Sequence, residues 1–145
     1  MAKSIHHTFF FAHSPEVVWE YLTNAELIGQ WLMKNNFQPI LGYDFTFNAK
    51  PIPSMDLDGI FYCKVLEIVP FKKLCYSWKG GPGEGKITLN TIVTWKLEEK
   101  DGGVQLDLKQ SGFGQLEHVT VFAAMTGGWL KNVQKINDLI NAAKS

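Results

Sequence analysis

Cysteine is scarce in this sequence: Cys63 and Cys75 are the two in 145 residues. They fall on the arms of a hairpin expected to turn near Pro70–Phe71–Lys72–Lys73. If Val69 pairs with Leu74, Cys75 lies opposite Ile68. Cys63 is then five residues further on, roughly 17 Å away at about 3.4 Å per residue, beyond the ~7 Å between Cα atoms that a disulfide spans. Two free thiols are expected, as in a reducing compartment. An excess of either charge is also lacking, with 14 basic and 14 acidic residues and no dense Lys/Arg run. That argues against a nucleic-acid binder held by phosphate contacts. No apolar run approaches the ~18 residues that span a membrane. The opening MAKSIHHTFFFAHSP is too polar around FFFA for a signal peptide. A cytoplasmic protein without membrane or nucleic-acid partners is expected. A chain this long buries about 68–70% of its unfolded surface, so one domain over 1–145 can hold itself together with no metal or other cofactor.

The motifs of catalysis are sparse as well. Gly80 to Lys86 fits G-x-x-x-x-G-K, but Ile87 stands where a phosphate loop needs Ser or Thr, and a strand rather than a helix follows. The stretch reads as a flexible turn. The histidines are His6, His7, His13 and His118, and none sits at zinc spacing. His6 and His7 point to opposite faces of a strand and cannot share a metal; His7, in phase with Phe9 and Phe11, is the one expected to look inward. Asp56 and Asp58 are paired carboxylates in a loop, but a general acid/base pair needs two different environments to split its pKa values. No G-x-S-x-G element and no cysteine with an evident base appears. No catalytic residue is assigned.

What is present is strong periodicity. From Val119 to Ala143, Met125, Trp129, Val133, Ile136, Ile140 and Ala143 recur at steps of three and four, the spacing of one helical face. Lys131, Gln134, Lys135 and Asp138 fall mostly on the other side. Such a helix is about 35 Å long at roughly 1.5 Å per residue, enough to cross a small domain. Nearly everything before it alternates with period two. Ile5 to Phe11 reads as a strand. Ser14 as N-cap, Pro15 and Glu16 open a short helix carrying Val18, Trp19 and Leu22. Thr23 or Asn24 ends it and caps a second short helix to Trp31. Residues 35–41 read as a loop, and further strands follow through Phe45–Phe47, Gly59–Val69, Lys73–Lys79, Ile87–Glu98 and Val104–Gln110, the last ending at Ser111–Gly112. Asp101–Gly102 is a hairpin-turn signal. The simplest arrangement is a curved antiparallel sheet closed around the last helix.

The series SPEVVWEYLT (14–23), Trp31, Gly42 to Phe47, VLEIVPFKKLCYSW (65–78), TIVTWKLEEKDGGVQLDLKQSGF (91–113) and GGWLKNVQKI (127–136) resembles, in order and over nearly the whole chain, the family of homologues of the activator of heat-shock protein 90 ATPase. That family lies within the START-like, polyketide-cyclase-like SRPBCC superfamily. Tyr43 departs from its usual pair of glycines. The resemblance implies an α+β helix-grip fold: a six- to seven-stranded antiparallel sheet wrapped around a long C-terminal helix, with two short helices after the first strand. It further implies a hydrophobic cavity between sheet and helix. In the eukaryotic co-chaperone a separate N-terminal domain carries the main chaperone contacts; this sequence lacks that domain, which weakens the case for ATPase activation.

The aromatic residues bear on that cavity. Trp31, Tyr76, Trp78, Trp95 and Trp129 are placed to face the space between sheet and helix. For any one ring a filled core is the ordinary reading; as a group they can line a pocket. Gln110 continues the inward face of Val104, Leu106 and Leu108, where a buried amide needs partners. Met125 precedes Gly127–Gly128, and two glycines inside a helix cost roughly 1 kcal/mol each relative to alanine. They read either as room for the sheet or a ligand to come close, or as a kink or break at 126–128. The expected ligand-binding set is therefore Trp31, Tyr76, Trp78, Trp95, Gln110, Met125 and Trp129. The expected function is non-catalytic binding of a small hydrophobic molecule. The alternatives are a co-chaperone-like protein-binding module and, third, a cyclase- or hydrolase-type enzyme. A homodimer through an apolar sheet edge is the further partner expected.

Overall fold

The computed structural model describes residues 3–55, 57–113 and 119–144, with the backbone alone for Lys3, Val119 and Lys144. Strand β1 (Lys3–Phe11) leads into α1 (Pro15–Thr23) and α2 (Ala25–Trp31). Ser14 caps α1, its Oγ accepting from the Val17 N–H at 3.3 Å. Asn24 serves two helices. Its N–H donates to the Glu20 carbonyl at the end of α1, and its Oδ1 accepts from the Glu26 and Leu27 N–H groups that open α2. One side chain thereby satisfies donors that a helix start otherwise leaves unpaired.

The sheet then builds from β2 (Lys34–Asn35), β3 (Asp44–Asn48), β4 (Ile60–Val69), β5 (Lys73–Gly80), β6 (Leu89–Lys100) and β7 (Gly103–Phe113). A short 3₁₀ turn, Pro53–Met55, interrupts the β3–β4 loop. All seven strands join one antiparallel sheet in the order β1-β7-β6-β5-β4-β3-β2, curled into a half-barrel. The helix α3 (Val119–Lys144) follows. The helix-grip architecture is as expected, with the seventh strand supplied by Lys34 and Asn35, which pair with Asn48 and Phe47 at the start of the stretch read as a loop. Two residues carry no alternation, so this strand leaves no periodic trace.

Burial follows the period-two pattern. On β6, Leu89, Thr91, Val93, Trp95 and Leu97 are buried while Asn90, Ile92 and Lys96 are exposed. On α3 the buried row is Val121, Trp129, Val133, Ile136 and Ile140; Met125 is half-buried and Ala143 is exposed, past the end of the core. The β4–β5 register differs by one from the expected pairing. Val69 pairs with Lys73, Ile68 with Leu74 and Glu67 with Cys75, and a bulge at Leu66 then resets the ladder to Val65 opposite Tyr76. The turn is a three-residue loop with Phe71 at φ 65°, one residue shorter than the four-residue turn that the expected pairing implies. Both cysteines are free, and Cys63 pairs on its other side with Phe45 of β3. Ser111–Gly112 does not end β7. Ser4 pairs with Ser111 and Lys3 with Phe113, so Gly112 is the extra residue of a bulge. It adopts φ 115°, and a Cβ there would lie 2.6 Å from the Asn90 carbonyl oxygen. Glycine is required at this approach, and it lets Phe113 re-enter the core against Phe122.

Candidate functional site

Trp129 on α3 anchors the helix to the sheet. Its Nε1–H donates to Gln110 Oε1 on β7 at 2.8 Å. Gln110 Nε2–H donates to Thr91 Oγ1 on β6 at 2.9 Å, and the Thr91 hydroxyl donates to the Trp78 carbonyl on β5 at 2.9 Å. Gln110 is wholly buried, so this relay supplies the partners that a buried amide needs. Beside it, Trp95 Nε1–H donates to the Tyr76 hydroxyl at 2.9 Å, and Trp31 Nε1–H donates to the Tyr21 carbonyl at 2.7 Å. Trp95 meets Trp31 and Trp129 edge-on at 6.0 and 5.5 Å between ring centroids. Burial pushes the Tyr76 hydroxyl pKa well above its ordinary value, and the Cys63 thiol is pushed up in the same way. These are features of a sealed core.

On the other side of Trp129 lies a partly open cavity of about 250 Å³. Helix α3 contributes Val121, Ala124, Met125, Gly128, Trp129 and Asn132 to its wall. The sheet contributes Trp78 and Phe61, and the end of α2 is extended by Leu32 and Met33. The β3–β4 loop closes the remaining side with Ala49, Ile52, Met55 and Leu57. A backbone pairing of Ile52 with Leu57 holds that loop in shape. None of these side chains is titratable. Trp78 Nε1 is buried without a hydrogen-bond acceptor among the described residues, its ring packed between those of Phe47 and Phe61 at 4.8 and 4.9 Å.

Of the seven expected ligand-binding residues, the structure brings Trp78, Met125 and Trp129 to the cavity. Trp31, Tyr76, Trp95 and Gln110 lie in the sealed core instead, their polar atoms bonded to other protein groups. Periodicity places a side chain on the inner face but does not say whether its neighbours fill the space before it. Two signals for the missed residues were available. Val121, Ala124, Gly128 and Asn132 recur at steps of three and four and include two small residues. Ile52, Met55 and Leu57 are apolar within a proline-bearing loop, where an apolar side chain needs something to bury against.

Two of the readings of the glycine pair, a break in the helix and close approach of the sheet, are not what the structure has. Helix α3 runs unbroken through 126–128, and a Cβ at Gly127 or Gly128 would meet nothing within 4 Å. The sheet does not approach there; Gly128 faces the cavity. His7 does look inward, its Nε2 lying 3.0 Å from the Thr126 carbonyl oxygen and tying β1 to α3. His13, buried and 3.1 Å from Asn137 Oδ1, makes a second such tie. His118 and Asp56 lie outside the described residues. Asp58 Oδ1 accepts from the Ile60 N–H, a loop-closing role. The glycine-rich turn pairs Gly83 with Lys86, and β6 rather than a helix follows. Among the described residues no cluster of three potential metal ligands occurs, and no helix is long and apolar enough to cross a membrane.

Residues 12–141 match the family model described as Activator of Hsp90 ATPase homolog 1-like protein. A crystal structure of a Mesorhizobium loti protein, 29% identical, superposes with a TM-score of 0.84 over 97% of this chain and 98% of that one. The Aha1 dimer from Colwellia psychrerythraea, 18% identical, gives 0.75 over 94% of each chain. DynU16, a protein in the dynemicin biosynthetic locus, is 20% identical and gives 0.76 over 97% of this chain and 48% of its own. The last two likenesses show the fold alone. No protein of curated function matches the sequence.

Proposed function

This chain belongs to the Activator of Hsp90 ATPase homolog 1-like family, and from that premise we propose that it binds a small apolar molecule, without catalysis, in the cavity between sheet and C-terminal helix. One observation carries the reading. Met33, Met55 and Met125, three of the chain's four methionines, converge on this cavity from three separate elements. Methionine is flexible and polarisable, adapts to the shape of what it covers and contacts aromatic rings favourably. A mostly apolar concave wall with few polar groups is the usual form of a small-molecule site. Cyclase or hydrolase chemistry calls for an acid or base in contact with the substrate, and among the described residues no carboxylate or histidine lines the cavity. The test is native mass spectrometry of protein purified gently from its own host. A discrete added mass, lost on denaturation, is the expected result.

A second reading, a co-chaperone-like protein-binding module of the cytoplasm, is favoured by an exposed apolar group at one end of the sheet. The Gly42 N–H donates to the Val65 carbonyl, so the chain at Ile40 and Leu41, 52% and 65% exposed, runs near the bulge at Leu66, 42% exposed. Adjacent exposed apolar residues mark protein contacts more often than scattered ones do. The Colwellia relative is a dimer, and a second copy of this chain is one partner such a surface can take. Pull-down of the cognate chaperone, with a change in its ATPase rate, tests the chaperone reading; a concentration-dependent mass in solution tests the dimer.

A further inference from the structure

Gly127 and Gly128 occupy the interior of an unbroken helix, where glycine is less favourable than any residue but proline. Neither is there for close packing, because a Cβ at either position would meet nothing within 4 Å. Their surroundings differ. Gly127 is exposed, while Gly128 is half-buried and forms part of the cavity wall. A side chain at 128 would extend into the cavity; one at 127 would extend into solvent.

The size and chemistry of the cavity restrict what it can hold. Its volume of about 250 Å³ exceeds the ~150 Å³ that accepts benzene and falls short of the ~300 Å³ at which drug-sized pockets begin. Among the described residues no side chain around it carries a charge, so an ionised ligand would lose its hydration with no counter-charge from them in return. The Trp129 indole N–H is already bonded to Gln110. The polar groups of the wall that remain are Asn132, able both to donate and to accept, and the Trp78 indole N–H, which has no acceptor among the described residues.

We propose that the ligand is a neutral molecule of about two fused rings with a single hydroxyl or carbonyl group, and that Gly128 sets the upper limit on its size. This rests on the binding reading above and deepens it. The missing side chain at 128 is the space into which the second ring extends, at the expense of helix stability.

The test compares wild type with Gly128→Ala, Gly128→Leu and Gly127→Leu, using phenol, 2-naphthol and 2-naphthoate as probes in calorimetric titrations at neutral pH. Wild type is expected to bind 2-naphthol at least tenfold more tightly than 2-naphthoate, which carries the same two rings and is ionised. Gly128→Leu should weaken 2-naphthol at least tenfold while retaining phenol, and Gly128→Ala should fall between. Gly127→Leu should bind as wild type does. Each substitution should raise the melting temperature by about 2–4 °C, which also confirms that the variants fold. Undiminished 2-naphthol binding by Gly128→Leu, or an equal loss in Gly127→Leu, overturns the role of Gly128 alone. Equal affinity for 2-naphthoate overturns the neutral-ligand assignment. A wild type that binds none of the three probes overturns the cavity reading as a whole.

Discussion

Trp129 belongs to two interiors built from different residues. Toward Trp31, Trp95 and Tyr76 the space is filled by large rigid rings meeting edge-on, with the indole and phenol groups bonded inside. Toward Met33, Met55 and Met125 flexible, aliphatic and small residues join the rings of Phe61 and Trp78 in the wall, and about 250 Å³ stays empty. Both regions are apolar and both lie between sheet and helix. Rigid planar groups with a polar edge interlock once their hydrogen bonds are fixed, and each ring pair adds about 0.5–1.5 kcal/mol beyond its burial. Methionine, alanine and glycine carry little directional constraint, so they can border a void that a ligand fills. Aromatic content, which the sequence advertises, therefore does not by itself separate the closed half of the interior from the open half, since Phe61 and Trp78 stand in the cavity wall.

That contrast makes the closed half the sensitive one. Trp95→Ala should have the largest effect, a loss of about 3–5 kcal/mol in urea denaturation, because it removes the ring between Trp31 and Trp129. A loss under 1 kcal/mol would mean that this side is no better packed than the other. Gln110→Leu should cost about 1–3 kcal/mol, since the Trp129 N–H and Thr91 hydroxyl lose their shared partner; Asn132→Leu, on the cavity, should be nearly neutral by the same assay.

The pH dependence of stability should also come from the closed half. Tyr76 and Cys63 both have pKa values raised by burial. The unfolded chain releases these protons at lower pH than the folded one. Stability should thus be complete below the ordinary thiol value of 9.0 and should fall as pH rises above it. Denaturation curves at neutral pH and well above pH 9 measure this; Tyr76→Phe should flatten the decline. The smallest stability effect is expected at Met125→Leu, a swap of similar volume that should cost less than about 1.5 kcal/mol. Its effect should appear in ligand affinity, read by the same titrations as the glycine variants.

The elements were largely legible in the sequence because their signals are local. Ser14–Pro15 begins a helix for reasons that lie within four residues. The alternation on β6 names its buried face directly. What escaped the sequence depended on how the strands pair and on how side chains of separate elements meet. The β4–β5 register turned on the bulge at Leu66 and on Phe71 adopting a left-handed conformation. Gly112 reads as a strand end and is a bulge, because only its pairing with β1 shows the strand continuing. Of the seven expected site residues, Trp78, Met125 and Trp129 line the cavity and the other four lie in the core.

By itself the sequence determined which residues point inward, where the helices start and that one long helix faces a curled antiparallel sheet. Each of these follows from side-chain periodicity and short-range hydrogen bonding. Only the tertiary structure decided where the interior is full and where it is empty. A cavity is the difference between the volume that the backbone encloses and the volume that the side chains occupy. That difference depends on how α3, the β3–β4 loop and the end of α2 come together around Gly128.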